Sequence, residues 1–365
     1  YLTCAEENRI SLVPVVPNRG LIVDRSGAVL ERNYSAYTLE ITPGKVADLE
    51  AVINELAGIV DIQPKDRKRF RKLLEESKNF ESLPIRTRLS DEEVARFIAR
   101  RFRFPGVEIK ARLFRQYPQG ELASHALGYI GRVNDRDLGT IERNNAEDNY
   151  RGTEHFGKTG LEQKYEFELH GQTGFEQVEV EAGGRAVRVL ERTPPLPGNN
   201  LLLTLDARLQ QVVEKAFGKR RGALVAIEPS TGGILALVSM PGYDPNLFVD
   251  GIGSQDWEAL NTSEDKPMVN RALNGAYPPG STFKPFMALA ALELGKRTPQ
   301  QAISDPGFFT FGGHTFRDDK PGGHGIVDMY KSIVHSCDTY YYVLANDMGI
   351  DAISNFMRQL GFGQR

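Results

Sequence analysis

The sequence predicts an α+β protein with two domains. Short hairpins of strands are followed by helical stretches, without the regular strand–helix alternation that is typical of a parallel sheet. A proline-rich joint, Thr-Pro-Pro-Leu-Pro-Gly at residues 193–198, indicates a boundary between an N-terminal domain, residues 1–195, and a C-terminal domain, residues 196–365. With 365 residues, of which 40% are hydrophobic, the chain is long enough for two or three hydrophobic cores.

The charge, cysteine content and hydropathy of the chain narrow its function class. A formal net charge of -3 gives no bulk basic field, so we expect no nucleic-acid partner. Two cysteines, Cys4 and Cys337, are too few for a disulfide framework. No stretch approaches the roughly 18 apolar residues of a membrane-spanning helix. The chain begins with Tyr1 instead of Met, which leaves a preceding membrane anchor open.

The N-terminal domain begins with strands and continues with helices. Residues 21–23 and 28–30 are strand-like and flank the turn Asp-Arg-Ser-Gly, which predicts a hairpin. From about residue 45 to residue 105 the pattern becomes helical. Ser90 and Glu93 form a predicted capping box at the start of one of these helices. We therefore expect a helical insertion in a domain of strands.

A basic run at residues 65–72, Lys-Asp-Arg-Lys-Arg-Phe-Arg-Lys, has two interpretations. It is either a nucleic-acid patch or the solvated face of a helix. Two glutamates follow it immediately, Glu75 and Glu76, and this mixture of charges favours the solvated helix.

Three further elements are predicted around the domain boundary. Residues 178–180 and 186–189 alternate on either side of Ala-Gly-Gly, which predicts a hairpin with a glycine turn at residues 182–184. After the boundary, residues 201–205 form a predicted strand, and Asp206 caps a helix. A second hairpin follows at residues 223–227 and 234–238. The predicted helix has an apolar face formed by Leu209, Val212, Val213 and Ala216.

Residues 277–285, Tyr-Pro-Pro-Gly-Ser-Thr-Phe-Lys-Pro, are the most informative segment. The prolines end an extended stretch, and the apolar residues 286–292 predict a buried helix that ends near Gly295. Ser281 therefore stands at the start of this helix. Lys284 lies one turn further on the same face.

A serine and a lysine in this arrangement have a known chemical use. A serine hydroxyl becomes a nucleophile when a neighbouring base takes its proton, and Lys284 is in reach of Ser281. Burial and the positive end of the helix dipole both disfavour the ammonium form of the lysine. The alternative from the local pattern is that Ser281 only caps the helix and Lys284 extends along the surface.

The segment at 277–285 closely resembles the active-site motif of penicillin-binding proteins. The second family motif, Ser-x-Asn, has a counterpart in Ser336, Cys337 and Asp338, with Asp338 in place of the asparagine. The resemblance implies a serine β-lactamase-like transpeptidase domain. It assigns the nucleophile to Ser281, the base to Lys284, the proton relay to Ser336 and the partner of the relay to Asp338. The charge of Asp338 is expected to hold Lys284 protonated more firmly.

The third family motif, Lys-Thr-Gly, does not follow the other two. Lys158, Thr159 and Gly160 spell it, but they precede the nucleophile by a long distance, and we interpret the match as a coincidence. The true motif is expected beyond Arg365. Residues 196–365 would then be the N-terminal part of an incomplete transpeptidase domain.

The N-terminal domain resembles the non-catalytic pedestal, or dimerisation-type domain, of class B penicillin-binding proteins. The resemblance covers nearly the whole chain and is strongest to the penicillin-binding protein 2 family. Glycines and arginines of these segments are expected to be structural. The segments that carry it are residues 18–27, 115–118, 125–129, 160–174 and 243–246.

This resemblance implies a peptidoglycan D,D-transpeptidase that cross-links stem peptides during cell elongation and that β-lactams inhibit covalently. With water as acceptor the same site would be a D,D-carboxypeptidase. The pedestal argues against a free β-lactamase or a β-lactam sensor, but it is compatible with a scaffold that activates a membrane glycosyltransferase of the RodA type. The expected location is the bacterial inner membrane, with a single N-terminal anchor and the bulk of the protein in the periplasm.

Four metal-capable side chains are spread over the C-terminal domain: Asp305, Asp318, His324 and Cys337. They match no compact zinc motif, so they are either unrelated turn and surface residues or one site. Some members of the penicillin-binding protein 2 family bind zinc through two aspartates, a histidine and a cysteine, and this resemblance implies a structural zinc here. Asp319 and His314 are rival ligands.

Overall fold

The computed structural model describes residues 10–76, 81–180 and 186–364. Cys4 and the glycine turn predicted at residues 182–184 lie outside these ranges. The chain forms two compact units, one up to Gly275 and one from Ala276 onwards. The domain boundary predicted at residues 195 and 196 stays a prediction. No helix in the described ranges is long and apolar enough to cross a membrane.

The first unit combines twelve described strands with ten described helices. The strands are β1 (Ile10–Val15), β2 (Ile22–Val23), β3 (Val29–Ile41), β4 (Leu83–Arg86), β5 (Val107–Gln116), β6 (Ile130–Arg132), β7 (His155–Gly157), β8 (Gly174–Val180), β9 (Ala186–Thr193), β10 (Leu201–Leu202), β11 (Gly222–Glu228) and β12 (Gly233–Met240). The helices are α1 (Leu49–Leu56), α2 (Pro64–Glu76), α3 (Asp91–Ile98), α4 (Ser124–Leu127), α5 (Asp135–Arg143), α6 (Gly160–Lys164), α7 (Glu166–His170), α8 (Ala207–Phe217), α9 (Ser254–Thr262) and α10 (Arg271–Asn274).

The described part of the second unit contains four α-helices and two small two-stranded sheets. Its strands are β13 (Ile303–Asp305), β14 (Phe308–Phe311), β15 (His314–Arg317) and β16 (Gly325–Val327). Its helices are α11 (Lys284–Glu293), α12 (Met329–Val334), α13 (Asp338–Met348) and α14 (Ile350–Gln359), and a 3-10 turn (Gly280–Phe283) precedes α11. Strand β13 pairs antiparallel with β16, and β14 pairs antiparallel with β15.

The long strand β3 organises the main sheet of the first unit. It pairs antiparallel with β2 at its start, with β5 along most of its length and with β4 at its end. Strand β10 then adds to β2 in parallel, which joins residues far apart in the chain. The first predicted hairpin is thus confirmed as β2 and β3. The strands predicted on either side of residues 182–184 are confirmed as the antiparallel pair β8 and β9.

Helices α1 to α3 and strands β3 to β5 enclose one hydrophobic core. Ser90 accepts a hydrogen bond from the Glu93 amide and Glu93 accepts one from the Ser90 amide, so the predicted capping box is confirmed. The basic run lies on α2, where Phe70 is buried while Lys65 and Lys68 are exposed. Of the two interpretations of this run, the solvated face of a helix is therefore the one that agrees with the structure.

A buried ion-pair network joins three of the pedestal-like segments. Arg115 bonds to Glu31 at 2.7 Å and to Glu162 at 2.6 Å. Arg19 bonds to Glu162 at 2.6 Å and to Glu166 at 2.7 Å. Because the carboxyl groups of all three glutamates are buried, they need these hydrogen-bonding partners. The arginines of these segments therefore have the structural role that the sequence predicted, and the three glutamates are partners that it did not identify.

One glycine of the same segments is required by close packing. Gly128 has a φ of 79°, and a Cβ at this position would lie 1.9 Å from the carbonyl oxygen of Thr159. The backbone after α4 can approach the start of α6 only without a side chain here. Lys158, from the coincidental Lys-Thr-Gly match, pairs with Asp137 within the first unit.

Two predictions after residue 200 need correction. The strand predicted at 201–205 is only β10, residues 201–202. Helix α8 is capped by Asp206 as predicted, but its predicted apolar face is only partly correct, since Leu209 and Val213 are half-buried whereas Val212 is 64% exposed. Gln210 is buried instead, since its side-chain amide donates to the Leu237 carbonyl and accepts from the Leu237 amide on β12. The hairpin predicted around residues 229–233 is confirmed as β11 and β12.

The second unit has its own core, built mainly from α11 and α13. Helix α11 exists as predicted and is followed by Gly295 with a φ of 62°. The expectation of a buried helix holds for only one side of it. Met287 and Ala290 are buried in the core, whereas Phe286 and Leu289 on the other side are exposed.

Candidate active site

The backbone before α11 fixes the position of Ser281. Gly280 has a φ of 56°, which few other residues adopt, and it opens the 3-10 turn that contains Ser281. Lys284 is the first residue of α11, and Pro285 follows in the first turn, where a missing amide hydrogen is tolerated. The Lys284 residue is only 8% exposed. A surface lysine at this position is therefore excluded.

A three-residue turn between α12 and α13 positions Ser336. The amide of Ser336 donates to the Ile333 carbonyl at 3.2 Å, and the amide of Cys337 donates to the Ser332 carbonyl at 3.0 Å. Ser336 has a φ of 54°, in the left-handed region that costs a side-chain-bearing residue roughly 1–2 kcal/mol. Backbone strain of this kind persists only where the surroundings enforce it, and it is frequent at functional sites.

The two segments meet through a short chain of polar contacts. The Ser336 hydroxyl lies 2.6 Å from the Ser281 hydroxyl and 3.0 Å from the Lys284 ammonium nitrogen. The same nitrogen donates to the Ser336 carbonyl and lies 2.6 Å from a carboxylate oxygen of Asp338. All four predicted catalytic residues are thus brought together. Among the described residues, Lys284 hydrogen-bonds to Ser336 and not directly to Ser281.

An aromatic side chain also contacts the lysine, and the sequence gave no indication of it. The Lys284 nitrogen lies 5.7 Å from the centroid of the Tyr341 ring, within cation–π range. The Tyr341 hydroxyl pairs with the buried Ser332 hydroxyl at 3.1 Å. In the sequence, one signal connects Tyr341 with the motif Ser336–Asp338. Tyr341 lies one helical turn after Asp338.

The four predicted metal ligands converge in the same unit. One ligand atom from each of Asp305, Asp318, His324 and Cys337 lies within 4.8 Å of the others. His324 Nδ1 is 3.0 Å from Asp305 and 3.4 Å from Asp318. The Cys337 sulfur is 3.5 Å from Asp305 and 3.4 Å from Asp318. The rivals Asp319 and His314 are not part of this cluster, and both are exposed.

Backbone hydrogen bonds hold the two carboxylates in place. Asp305, at the end of β13, accepts from the amides of Gly307 and His324, each at 2.7 Å. Asp318, just after β15, accepts from the Thr339 amide at 2.8 Å. Burial raises the pKa of both carboxyl groups, but these amide donors more than offset it, so both pKa values lie below the ordinary range.

The pKa of the Cys337 thiol is shifted in the opposite direction. Burial, together with the charges of Asp318 and Asp305, raises the pKa of Cys337 to about 12. A cation between these groups would offset the negative charges of Asp305 and Asp318, and would therefore favour the thiolate form of Cys337. Two carboxylates, an imidazole and a thiol are a suitable donor set for zinc. Tetrahedral zinc needs its ligand atoms about 3.3–3.8 Å apart, and four pairs of the observed cluster, at 3.0–3.5 Å, already lie close to this spacing. The residues therefore fit a zinc ion.

The known families and the relatives that match this chain agree with one another, since all of them are penicillin-binding or D,D-transpeptidase proteins. The family described as "Penicillin-binding Protein dimerisation domain" matches residues 14–203, and "Penicillin binding protein transpeptidase domain" matches residues 222–365. The chain is 45% identical to the "Peptidoglycan D,D-transpeptidase MrdA" of Acinetobacter baumannii and 44% identical to that of Escherichia coli. All of the chain aligns in both cases, but it spans only 54% and 58% of these relatives.

Two solved structures with a similar fold are named as the penicillin-binding protein PBP2. A complex between penicillin-binding protein PBP2 and MreC from Helicobacter pylori matches with a TM-score of 0.81 and 30% identity, covering 98% of the chain and 66% of that protein. Pseudomonas aeruginosa PBP2 in complex with WCK 5153 matches with a TM-score of 0.69 and 35% identity, covering 97% and 58%.

Proposed function

The chain belongs to the penicillin-binding protein family, and we propose that it is part of a peptidoglycan D,D-transpeptidase with Ser281 as its nucleophile. The observation that supports this most is the contact chain from Ser281 through Ser336 to Lys284. A serine nucleophile, a relaying hydroxyl and a buried amine in this order suit acyl transfer. The similarity to relatives that are named D,D-transpeptidases supports the choice of peptide substrate.

The proposed reaction begins with Lys284 as the free amine. Ser281 then donates its proton to the Ser336 hydroxyl, which passes its own proton to the Lys284 nitrogen. The Ser281 oxygen attacks the carbonyl between the two D-alanines of a donor stem peptide. The bond to the terminal D-alanine breaks, and the proton leaves with its amine. An acceptor amine from a second stem peptide then attacks the ester and releases Ser281.

Asp338 has a different role in this scheme. Its carboxylate lies 2.6 Å from the Lys284 nitrogen, so it stabilises the ammonium that forms when Ser281 is deprotonated. It also orients the lysine toward Ser336. β-Lactams would acylate the same serine, because they present a reactive amide to the same nucleophile.

A structural zinc at Asp305, Asp318, His324 and Cys337 is part of the proposal. Bound zinc would supply four strong bonds that cross-link the loop after β13 to the start of α13. Cys337 directly follows Ser336 and precedes Asp338, so holding Cys337 also holds the relay serine. The protein residues alone perform the proton transfers.

Partners and location are further parts of the proposal. A partner of the MreC type is supported by the similarity to the Helicobacter pylori complex. The match to a dimerisation domain supports a pedestal that assembles with other proteins, including a RodA-type glycosyltransferase that it would activate. We place the full-length protein at the bacterial inner membrane, with an N-terminal anchor and its bulk in the periplasm.

The transpeptidase proposal is tested by product analysis with the full-length protein. The protein is incubated with a stem pentapeptide and a second peptide that offers a free amine, and the products are separated by mass. We expect a cross-linked dimer and free D-alanine, and neither with Ser281→Ala. If the wild-type protein forms only the hydrolysed tetrapeptide, water is the acceptor and the D,D-carboxypeptidase alternative is correct.

A further inference from the structure

The four proposed zinc ligands differ in their access to water. The side chains of Asp305 and Asp318 have no exposed surface and Cys337 is fully buried, whereas the His324 side chain is 10% exposed. Any water or chelator that removes the metal would therefore meet His324 first. His324 is therefore the ligand at which protection from solvent would matter most for retention of a metal.

The His324 ring is also held less completely than is usual for a ligand. Its Nδ1 atom faces the carboxylates of Asp305 and Asp318. A metal-bound histidine ordinarily has its second ring nitrogen fixed by a hydrogen bond. In residues 10–76, 81–180 and 186–364, no protein group hydrogen-bonds to His324 Nε2. Another contact must fix the plane of the ring.

His335 provides that contact. The rings of His335 and His324 are nearly parallel, with an interplanar angle of 19° and centroids 5.7 Å apart. His335 is the residue that ends α12, where its amide donates to the Lys331 carbonyl at 2.9 Å. Its backbone is therefore fixed, and its side chain is exposed on the outside of the site.

The stacked geometry argues against His335 as a fifth ligand. The lone pairs of an imidazole lie in the plane of its ring, so a ring that lies parallel to His324 directs its nitrogens alongside that ring and not into the cluster. His335 accordingly stands outside the group of four converging atoms. What it offers to His324 is a flat surface.

We propose that His335 is a positioning residue of the zinc site, whose ring stacks on His324, fixes the plane of that ligand and shields it from solvent. This inference rests on the zinc in the proposed function. Because His335 directly precedes Ser336, its ring can cover His324 only while the turn at residues 335–337 keeps its native backbone. The residue would thus link retention of the metal to the conformation of the relay serine.

The test measures zinc release from the full-length protein. Zinc-loaded wild type and the variants His335→Ala, His335→Phe and Tyr330→Ala are mixed with an excess of a chromogenic chelator, and the transfer rate is followed. An aromatic stacking contact predicts a rate about threefold to tenfold higher for His335→Ala. His335→Phe keeps a flat ring and should stay within about twofold of wild type. Tyr330 is 75% exposed on the same helix, so its loss should change nothing.

Equal rates for His335→Ala and wild type overturn the proposal. So does a His335→Phe variant that releases zinc as fast as His335→Ala, since a ring surface would then be irrelevant. Cobalt-loaded samples give a second readout, because a positioning residue leaves the ligand-field spectrum of His335→Phe unchanged, whereas a ligand does not. A wild-type protein without zinc overturns both this inference and the zinc site, while the acylation of Ser281 is judged separately.

Discussion

The hydroxyl of Ser336 lies between Ser281 and Lys284, within hydrogen-bond distance of both, so a proton can move from one to the other through it. In the structure the Lys284 nitrogen donates to the Ser336 hydroxyl, and the Ser336 hydroxyl donates to Ser281. The proposed proton transfer runs in the reverse direction, from Ser281 through Ser336 to Lys284. In that mechanism, Ser281 becomes a nucleophile only when Lys284 is the free amine.

Replacing Lys284 with arginine tests its role as the base. Arginine keeps a positive charge beside Asp338, but guanidinium does not lose its proton in proteins. Acylation of Lys284→Arg by benzylpenicillin should therefore fall by about two to four orders of magnitude, the usual contribution of a general base. The melting temperature should change little. Lys296→Arg, at an exposed position after α11, is the matched control. A near wild-type acylation rate for Lys284→Arg would show that another group is the base.

A pair of variants at Ser336 separates its chemistry from its backbone strain. Both Ser336→Ala and Ser336→Gly remove the relaying hydroxyl, so both should acylate far more slowly than wild type. Glycine adopts a φ of 54° without the penalty of a side chain, so Ser336→Gly should be about 1 kcal/mol more stable than Ser336→Ala. Chemical denaturation measures the difference. Equal stabilities would mean that the turn has relaxed and that no strain is stored there.

The loop after β13 is the element whose position depends most on the metal. Cys337→Ser should lower the zinc content and the melting temperature, and should slow acylation indirectly, because the turn with Ser336 is then less well fixed. Elemental analysis of protein purified without a chelator or a metal-affinity tag measures the metal. Cys4→Ser, at the other cysteine of the chain, is the control and should keep its zinc. If Cys337→Ser matches wild type in metal content, stability and acylation, the site is withdrawn.

The ion-pair network of the first unit predicts opposite effects for two buried glutamates. Burial and the charge of Glu162 hold the pKa of Glu31 well above its usual value, so Glu31 favours the neutral form. Burial also acts to raise the pKa of Glu162, but Arg115 and Arg19 lower it to about 2. Glu31→Gln should therefore leave stability at pH 7 unchanged or raise it, because glutamine does not have to be protonated on folding. Glu162→Gln should cost about 3–5 kcal/mol.

The pH dependence of stability follows from the same shifts. The contribution of Glu162 is present above its ordinary pKa near 4.5 and is lost as the pH falls toward 2. Glu31 acts in the other direction, since its contribution is lost as the pH rises through its raised pKa, and Glu31→Gln should remove that loss. Melting temperatures between pH 2 and pH 8 provide the measurement. A larger loss for Glu31→Gln than for Glu162→Gln would contradict this assignment.

Sequence patterns predicted a local element well where residues close to it in the sequence determine its structure. The capping residues Ser90 and Asp206 and the hairpin of β11 and β12 each depend on neighbours a few residues away. Helix α8 shows the limit of this approach. Its apolar periodicity favoured Val212, but the hydrogen bonds that Gln210 makes with β12 turn a polar side chain inward. Such a bond depends on a strand that local sequence does not place.

At the scale of the whole molecule, the predicted family is confirmed, and the four catalytic candidates and the four metal candidates meet as two adjacent clusters. Long-range pairings were not predictable. The parallel addition of β10 to β2 and the partners of Arg115 join residues that are distant in the chain, and no local pattern encodes them. Tyr341 and His335 escaped prediction for the same reason, since aromatic residues near a motif are usually core or surface residues.

Mass spectrometry of the full-length protein with benzylpenicillin shows which residue is acylated, and so whether Ser281 is the nucleophile. We expect one stable adduct per molecule, located on the peptide that contains Ser281, and no adduct on Ser281→Ala. A persistent adduct on Ser281→Ala, or an adduct on another serine of the wild-type protein, would contradict it.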